Sequence, residues 1–391
     1  MPQLLLFLFS TGMLNTLYSS IAISVIIILV YQLIKTKQVK LAAMRSISFL
    51  MLYLFGVFYF LFGVFTIQGV MHYLVSPLLT FIAGWTIVSA NKQNQEQTVK
   101  SMIYALVLGY GLHALLNYVI NVGKPRWLLI DFFSGSIRAA TGSGAINTII
   151  FSMLFYVMII EKRILVKMTG IVILMVSILY AFLLGTRTQF IILLIVFIIS
   201  IVVHSHEKHG RSALIRSLLI IVFLTSMFII MYQQDFLSMR NAIEKSNLML
   251  RFQDINLRVS DDTRKNRYLE GIAGLIDHPF GKSDIHTGYY HNFWLDIGRI
   301  GGIIPFIIMA GFSYITFTHM LQIFRDKRTD IGLRYMLLGI YIGIQMNFFV
   351  EPILEGFFDF FLINCFINGM TESFCIKKFR KGEITARAMF I

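Results

Sequence analysis

The sequence predicts an all-α polytopic membrane protein with about eleven transmembrane helices (10–12) and one long external loop containing short helices. Three observations predict it. Of the 391 residues, 57% are hydrophobic and only 14% are charged, where a soluble chain carries about 25% charge. The mean hydropathy is +0.74. The apolar residues also fall in long runs, and a spanning helix needs about 20 of them in succession. These properties exclude a disordered or nucleic-acid-binding chain and almost exclude a soluble enzyme.

In order, the runs cover 15–34, 49–67, 71–90, 101–122, 146–160, 168–186, 188–204, 217–233, 300–321, 335–351 and 357–375. Residues 3–14 are also apolar and either extend the first helix or form a separate short one, which makes the count eleven or twelve. The whole chain, 1–391, reads as one integral membrane domain with the 234–299 loop inside it. No internal repeat with a period of about 20–50 residues is present. The opening MPQLLLFLFS lacks the basic stretch of a signal peptide, so none is expected.

The net charge is +14, and in a membrane protein its distribution reports orientation. Alternate loops starting with KTKQVKLAAMR, closed by the C-terminal tail, hold 21 of the 34 Lys and Arg residues. The other side holds 13, mostly in the long loop, together with 13 of the 20 acids. The richer side is expected to be cytoplasmic, with the C-terminus inside and the 234–299 loop outside. Cys365 and Cys375 fall in or beside the last run, so no disulfide is expected.

The external face gathers unusual basic groups. Arg138 lies in the 123–145 loop, and Arg187 sits in the tight GTRT connection between two apolar runs. Arg264 and Arg267 begin TRKNRYLEGIAGLID (263–277), which reads as an amphipathic helix with Tyr268, Ile272 and Leu275 on one stripe and His278-Pro279 at its end. His291 precedes the apolar segment that closes the loop, in YYHNFWLDIGRIGG. Arginine suits phosphate because its planar guanidinium stays charged and binds two oxygens at once. Histidine suits proton transfer because its pKa lies near 6.5. Several arginines and one histidine in an external pocket fit a diphosphate substrate attacked by a hydroxyl group.

Each residue also has a structural reading: a snorkelling Arg187, a solvated Arg138, Arg264 and Arg267 on the polar face of the loop helix, and His291 within an aromatic belt. Asp296 and Arg299 read as an intrahelical i, i+3 ion pair. Glu351, Glu355 and Asp359 flank the last external turn and read as a solvated turn, with binding of a sugar or a cation as the alternative, and Asn117 and Asn347 as hydrogen-bonding residues between helices. Gly298, Gly301 and Gly302 permit close helix packing. The sequence has no P-loop, HExxH, CxxC, Rossmann fingerprint or metal-ligand cluster, so no cofactor or metal is expected.

The stretch RKNRYLEGIAGLIDHPFGKSDIHTGYYHNFWLDIGRIGGIIPF resembles the shared region of bacterial O-antigen polymerases (Wzy type) and O-antigen ligases. Arg264, Tyr268, Pro279, Gly281, His291, Asn292 and Gly301 match that family's pattern. GTRT at 185–188 is similar to the family's arginine at the start of a spanning helix, with Thr188 where a small Gly is more usual. SIRAATGSGAIN is similar to an earlier external arginine followed by Gly and Asn, here Arg138, Gly142 and Asn147, without the frequent Pro before Asn. The resemblance covers roughly residues 130–320 by pattern, and does not separate polymerase from ligase.

The resemblance implies a metal-independent integral-membrane glycosyltransferase in the bacterial inner (plasma) membrane. Its substrate would be an undecaprenyl-diphosphate-linked oligosaccharide, with a polysaccharide chain-length regulator as an implied partner. It assigns the carrier diphosphate to Arg138, Arg187, Arg264 and Arg267, and the acceptor proton to His291, with Arg187 also catalytic. Asn292, Tyr268 and Tyr290 are its candidates for sugar binding. The leading expectation is a repeat-unit polymerase extending O-antigen or capsule chains. The alternatives are a ligase moving finished glycan to a surface acceptor and, in a different class, a lipid-linked oligosaccharide flippase.

Overall fold

Inside a bilayer no water is available to the backbone, so each crossing segment must satisfy its own N–H and C=O groups, and a helix does so. The computed structural model shows this outcome. It describes residues 2–14, 28–29, 41–62, 69–91, 93–137, 140–208, 239–244, 246–253, 260–281 and 289–388, with isolated positions between 215 and 235. Among the described residues there is no strand, and one isolated antiparallel bridge joins Ile130 to Ile137.

Among the described residues, seven helices are long and apolar enough to cross a membrane. These are α3 (Val70–Ala90), α4 (Gln95–Asn121), α5 (Ala140–Phe151, continued through a π-helical turn to Ile160), α6 (Ile164–Leu184), α7 (Arg187–Lys208), α12 (Ile303–Arg325) and α13 (Ile331–Val350). Around them lie α1 (Pro2–Ser10), α2 (Ile47–Phe62), α8 (Met239–Glu244), α9 (Asn247–Gln253), α10 (Ser260–Asp277), α11 (Phe293–Gly301), α14 (Ile353–Gly356) and α15 (Phe358–Ala388). The expected count was about eleven. The difference has identifiable causes. The run 15–34 falls almost wholly outside the described residues, and more than half of the run 217–233 does too. The run 49–67 becomes α2, only 16 residues long. The run 357–375 becomes part of α15, whose apolar character is diluted by Asp359, Asn364, Asn368 and Glu372. Residues 3–14 form a helix of their own, but nine residues rise only about 14 Å, too short to cross.

The 300–321 run is not one helix. It breaks at Gly302, which has φ +80 and separates α11 from α12. At that break Ile303 N–H donates to the Pro279 carbonyl at 2.7 Å, so the end of α10 is stitched to the start of α12. A Cβ on Gly302 would collide with that same carbonyl, which is why only glycine fits.

The tightest helix crossing is between α3 and α15. A Cβ on Gly84 would sit on the Phe366 carbonyl, and one on Gly369 would sit on the Phe81 carbonyl. Small residues let two backbones meet where lipid and protein are equally apolar and packing must hold helices together. Cys365 and Cys375 are both free and buried on α15.

One end of the bundle collects ion pairs. Lys100 and Asp330 are 2.5 Å apart, Arg163 pairs with Glu161 at 3.0 Å, and Arg334 pairs with Glu207. Tyr104 and Tyr156 also hydrogen-bond Glu161, and Arg163 holds that carboxyl well below the usual range despite its burial. These groups belong to the connections after α3, α5, α7 and α12, which the charge count placed on one side.

Replacing Gly84 or Gly369 with Leu should therefore drive two backbones apart and cost about 1–3 kcal/mol or more. Thermal unfolding of the detergent-solubilised protein reads it. Gly311→Leu on α12, where an added Cβ meets only Met51 Sδ at 3.7 Å, should leave the transition nearly unmoved.

Candidate functional site

The opposite end of the bundle holds Arg187, Arg267, Tyr268, Tyr290, His291 and Asn292 among the residues singled out by sequence. Helix α10 ends at Asp277, as the His278-Pro279 signal requires. It packs on α11 through its glycines: Gly271 faces Tyr290 and Leu295, and Leu275 covers Gly298. The glycines add Gly271 and Gly274 to the packed face beside Tyr268 and Leu275, while Ile272, 51% exposed, lies next to Tyr268 along one groove.

Between α10 and α11 the chain makes a sharp turn at His291, which has φ +54, a left-handed conformation uncommon for any residue but glycine. The turn is held from three sides. The Tyr268 hydroxyl donates to the His291 carbonyl at 3.2 Å and is also 3.3 Å from the Phe349 carbonyl. Asn292 caps α11, its Oδ1 accepting from Trp294 N–H at 3.0 Å and Leu295 N–H at 3.2 Å. Its Nδ2 donates to the Phe349 carbonyl at 3.0 Å. The HN pair thus joins the loop helix to the end of α13. The His291 ring lies 6.5 Å from that of Tyr289, edge to face.

Beneath this turn is a buried charge cluster. Arg299 is 6% exposed. Its Nη2 reaches Glu355 Oε1 at 2.5 Å, while its Nε is 3.9 Å from Asp296 Oδ1. The expected i, i+3 pair with Asp296 is therefore the weaker contact. A guanidinium projecting from α11 meets α14 more directly than its own helix. Asp296 Oδ1 instead accepts Tyr290 N–H at 2.8 Å, and the Tyr290 ring lies 5.9 Å from the Arg299 guanidinium. Tyr59 and Tyr73 stand within electrostatic reach of Arg299 and Glu355.

The solvated-turn reading of Glu351 and Glu355 is overturned, since Glu351 is 3% exposed and the Glu355 side chain 13%. The 350–358 segment folds back onto the bundle rather than outward. Asp359 alone of the three is exposed. Burial pushes the Glu355 carboxyl up to about 7 and the Asp296 carboxyl up to about 6, with Arg299 opposing both shifts.

Arg187 opens α7 and is half buried. The preceding Gly185 has φ +70 and donates its N–H to the Ala181 and Phe182 carbonyls, a left-handed cap on α6. Asn247, at the start of α9, donates to the Leu183 carbonyl at 2.6 Å, so the long segment docks on the GTRT turn. No sequence signal pointed to Asn247. The N-terminus of α5 lies beside that of α7: a Cβ on Gly144 would be 2.9 Å from Thr186 Cγ2. Deeper, Thr148 donates to Gln189 at 2.8 Å and Asn347 donates to Thr148, linking α5, α7 and α13. Asn347 thus bridges helices as expected. Asn117 does not: it holds the 123–145 loop, its Oδ1 accepting Phe132 N–H at 3.0 Å.

Of the other predicted site residues, Arg267 is exposed and donates to the Tyr289 carbonyl at 3.0 Å. Arg264 lies in the first turns of α10, and its side chain is outside the described residues. Arg138 is outside them altogether, two residues before α5. A Cβ on Gly142 would collide with Phe357, so the start of α5 abuts the segment carrying Glu355. Among the described residues no three His, Cys, Asp or Glu side chains gather as a metal would need.

The fold and this site define a multi-pass α-helical membrane protein with a buried charge cluster and a polar backbone turn at one end of the bundle. No protein-family model matches the chain, and no curated protein matches it.

Because the folded pKa of Glu355 is raised by burial, the folded state holds its proton between pH 4.5 and about 7 more firmly than the unfolded chain. Its contribution is full below pH 4.5 and is lost as pH rises through about 7. Glu355→Gln should flatten the fall in melting temperature across that window. An unchanged slope in the variant would mean that Glu355 is not the titrating group.

Proposed function

We propose that the protein is a polysaccharide repeat-unit polymerase of the bacterial plasma membrane, extending O-antigen or capsule chains from an undecaprenyl-diphosphate carrier. The observation that carries this reading is the convergence at one bundle end of two helix N-termini, α5 and α7, with Arg187 at the head of α7. On the other side of α13 stands the His291-Asn292 turn. Helix N-termini carry partial positive charge and point N–H groups outward, so a pair of them reinforced by arginine suits a diphosphate.

In the proposed reaction an acceptor hydroxyl oxygen bonds to the anomeric carbon of the donor glycan. The bond from that carbon to the diphosphate oxygen breaks, and undecaprenyl diphosphate leaves. Negative charge grows on the leaving diphosphate, so Arg187, with Arg138, Arg264 and Arg267, would stabilise the transition state more than the ground state. His291 would take the acceptor proton. Asn292, Tyr268 and Tyr290 would line the sugar path. In this reading the 234–299 segment faces outward and the C-terminus is cytoplasmic, consistent with the bias of Lys and Arg. A chain-length regulator is the partner this activity calls for.

Size-resolved glycan from a host lacking the protein tests the reading. Collapse of surface polymer to single repeat units is the expected outcome. Long polymer retained on the acid-labile carrier would instead identify a ligase, and single units held on the cytoplasmic leaflet a flippase. Within the polymerase, His291→Asn keeps a residue that tolerates the left-handed turn while removing the base, and should lower the rate about 10²–10⁴-fold. Arg187→Ala should lower it about 10²–10³-fold. Wild-type polymer from either variant removes that residue from the mechanism.

A further inference from the structure

The polar residues that dilute the apolar character of α15 fall in order along one stripe. Asn364, Asn368 and Glu372 are spaced four apart, and all three are buried. Thr316, His319 and Gln322, spaced three apart on α12, meet this stripe turn by turn. Thr316 shares with Asn364, Asn368, Thr371 and Tyr341 a cavity of about 10 Å³, the size of one water. One turn nearer the ion-paired end of the bundle, His319 Nδ1 stands 3.9 Å from Glu372 Oε2. One turn further, Cys375 Sγ donates to Gln322 Oε1 at 2.9 Å, and Gln322 is exposed. In the other direction the stripe stops at Phe361, whose ring lies 5.8 Å from that of Phe293 and 6.2 Å from that of Phe55. The stripe is thus open at the ion-paired end and closed by aromatic rings toward the His291 turn.

Glu372 is the ionisable group inside it. Its side chain is 4% exposed, and its Oε2 accepts no hydrogen bond, although the Ser46 and Ser48 hydroxyls lie beside the carboxyl. Among the described residues, the charges on the surrounding elements are spent or turned away. Lys100 of α4 pairs with Asp330, and Arg334 of α13 pairs with Glu207. Arg45, just before α2, and Arg325, at the end of α12, are exposed. The Tyr341 hydroxyl donates to the Ser313 carbonyl at 3.3 Å. The stretch Ser76–Ala90 of α3, which packs along α15, carries no titratable side chain. His319 is left to face the carboxyl from α12, and Cys375 from its own helix.

A carboxylate with no cation inside a bundle is costly, and so is a lone imidazolium. Both are avoided when the Glu372–His319 pair holds a single proton. At 3.9 Å the two groups are too far apart for the short charge-assisted bond that would favour an ion pair. The proton therefore rests on the carboxyl, and the imidazole is neutral.

We infer that Glu372 is a proton-binding site, holding one proton inside the bundle and exchanging it with the ion-paired end through His319. The exchange balances on the imidazole. A proton arriving from the Gln322 side binds one ring nitrogen, and Nδ1 gives up its own to the Glu372 carboxylate; release runs in reverse. A single water or a small side-chain shift spans the 3.9 Å. The site is independent of the proposed function, because the proton is held with no glycan or carrier present.

The test is infrared spectroscopy of the full-length protein in nanodiscs, with no substrate, before and after exchange into heavy water. The wild-type protein at neutral pH should show the C=O band of a buried carboxylic acid that Glu372→Gln removes. Glu372→Asp, which keeps an acid at the same position, should move the band without abolishing it. His319→Gln should keep both the band and the wild-type melting temperature but slow its hydrogen–deuterium exchange about 10²-fold. A merely structural histidine would leave that rate unchanged. Identical spectra for the wild type and Glu372→Gln overturn the proton site, as does loss of the band on adding sodium chloride, which would mark a sodium site. Unslowed exchange in His319→Gln overturns the route through His319.

Discussion

An arginine that is only 6% exposed near the end of a membrane bundle has to be answered by carboxyl oxygens that accept its N–H groups, because taking its charge out of water costs several kcal/mol. Arg299 obtains Glu355 from a segment 56 residues further along and Asp296 from its own helix. That requirement shapes its surroundings. It draws the short α14 back against α11 instead of letting the chain run from α13 straight into α15. Asp296, shared between Arg299 and the Tyr290 N–H, also fixes the start of the His291 turn. The charge cluster thus lies beneath the candidate site and sets the backbone above it.

The remainder of the site depends on helix ends rather than helix middles. Gly185 ends α6 in a left-handed turn, and the chain re-enters as α7 within two residues, with Arg187 at the new N-terminus. Gly302 does the same between α11 and α12. Each break releases N–H and C=O groups that an unbroken helix would satisfy internally. Asn247 takes up the Leu183 carbonyl, and Ile303 takes up that of Pro279. These partners belong to the long 234–299 segment or border it, so that segment is integrated with the bundle at two points.

Several features were legible in the sequence because they follow from local rules. The runs around α3 to α7, α12 and α13 have the length and hydropathy of spanning helices. The helix over 263–277 and its stop at His278-Pro279 follow from capping and proline geometry. The HN pair and GTRT stood out as polar groups beside apolar runs. Other features were not legible. The Arg299–Glu355 pair was hidden because an i, i+3 partner on the same helix is the nearest by sequence. Asn247 carries no pattern at all.

Composition and run length by themselves determined that this chain is a helical membrane protein. That depends on the solvent, since hydrocarbon tolerates only long apolar segments with satisfied backbones. Tertiary structure alone decided which carboxylate answers Arg299, which carbonyls Asn292 and Tyr268 bind, and that His319 of α12 faces Glu372 of α15. Those are contacts between segments far apart in the chain, and their distances are fixed only once glycine crossings such as Gly84 with Gly369 bring the backbones together.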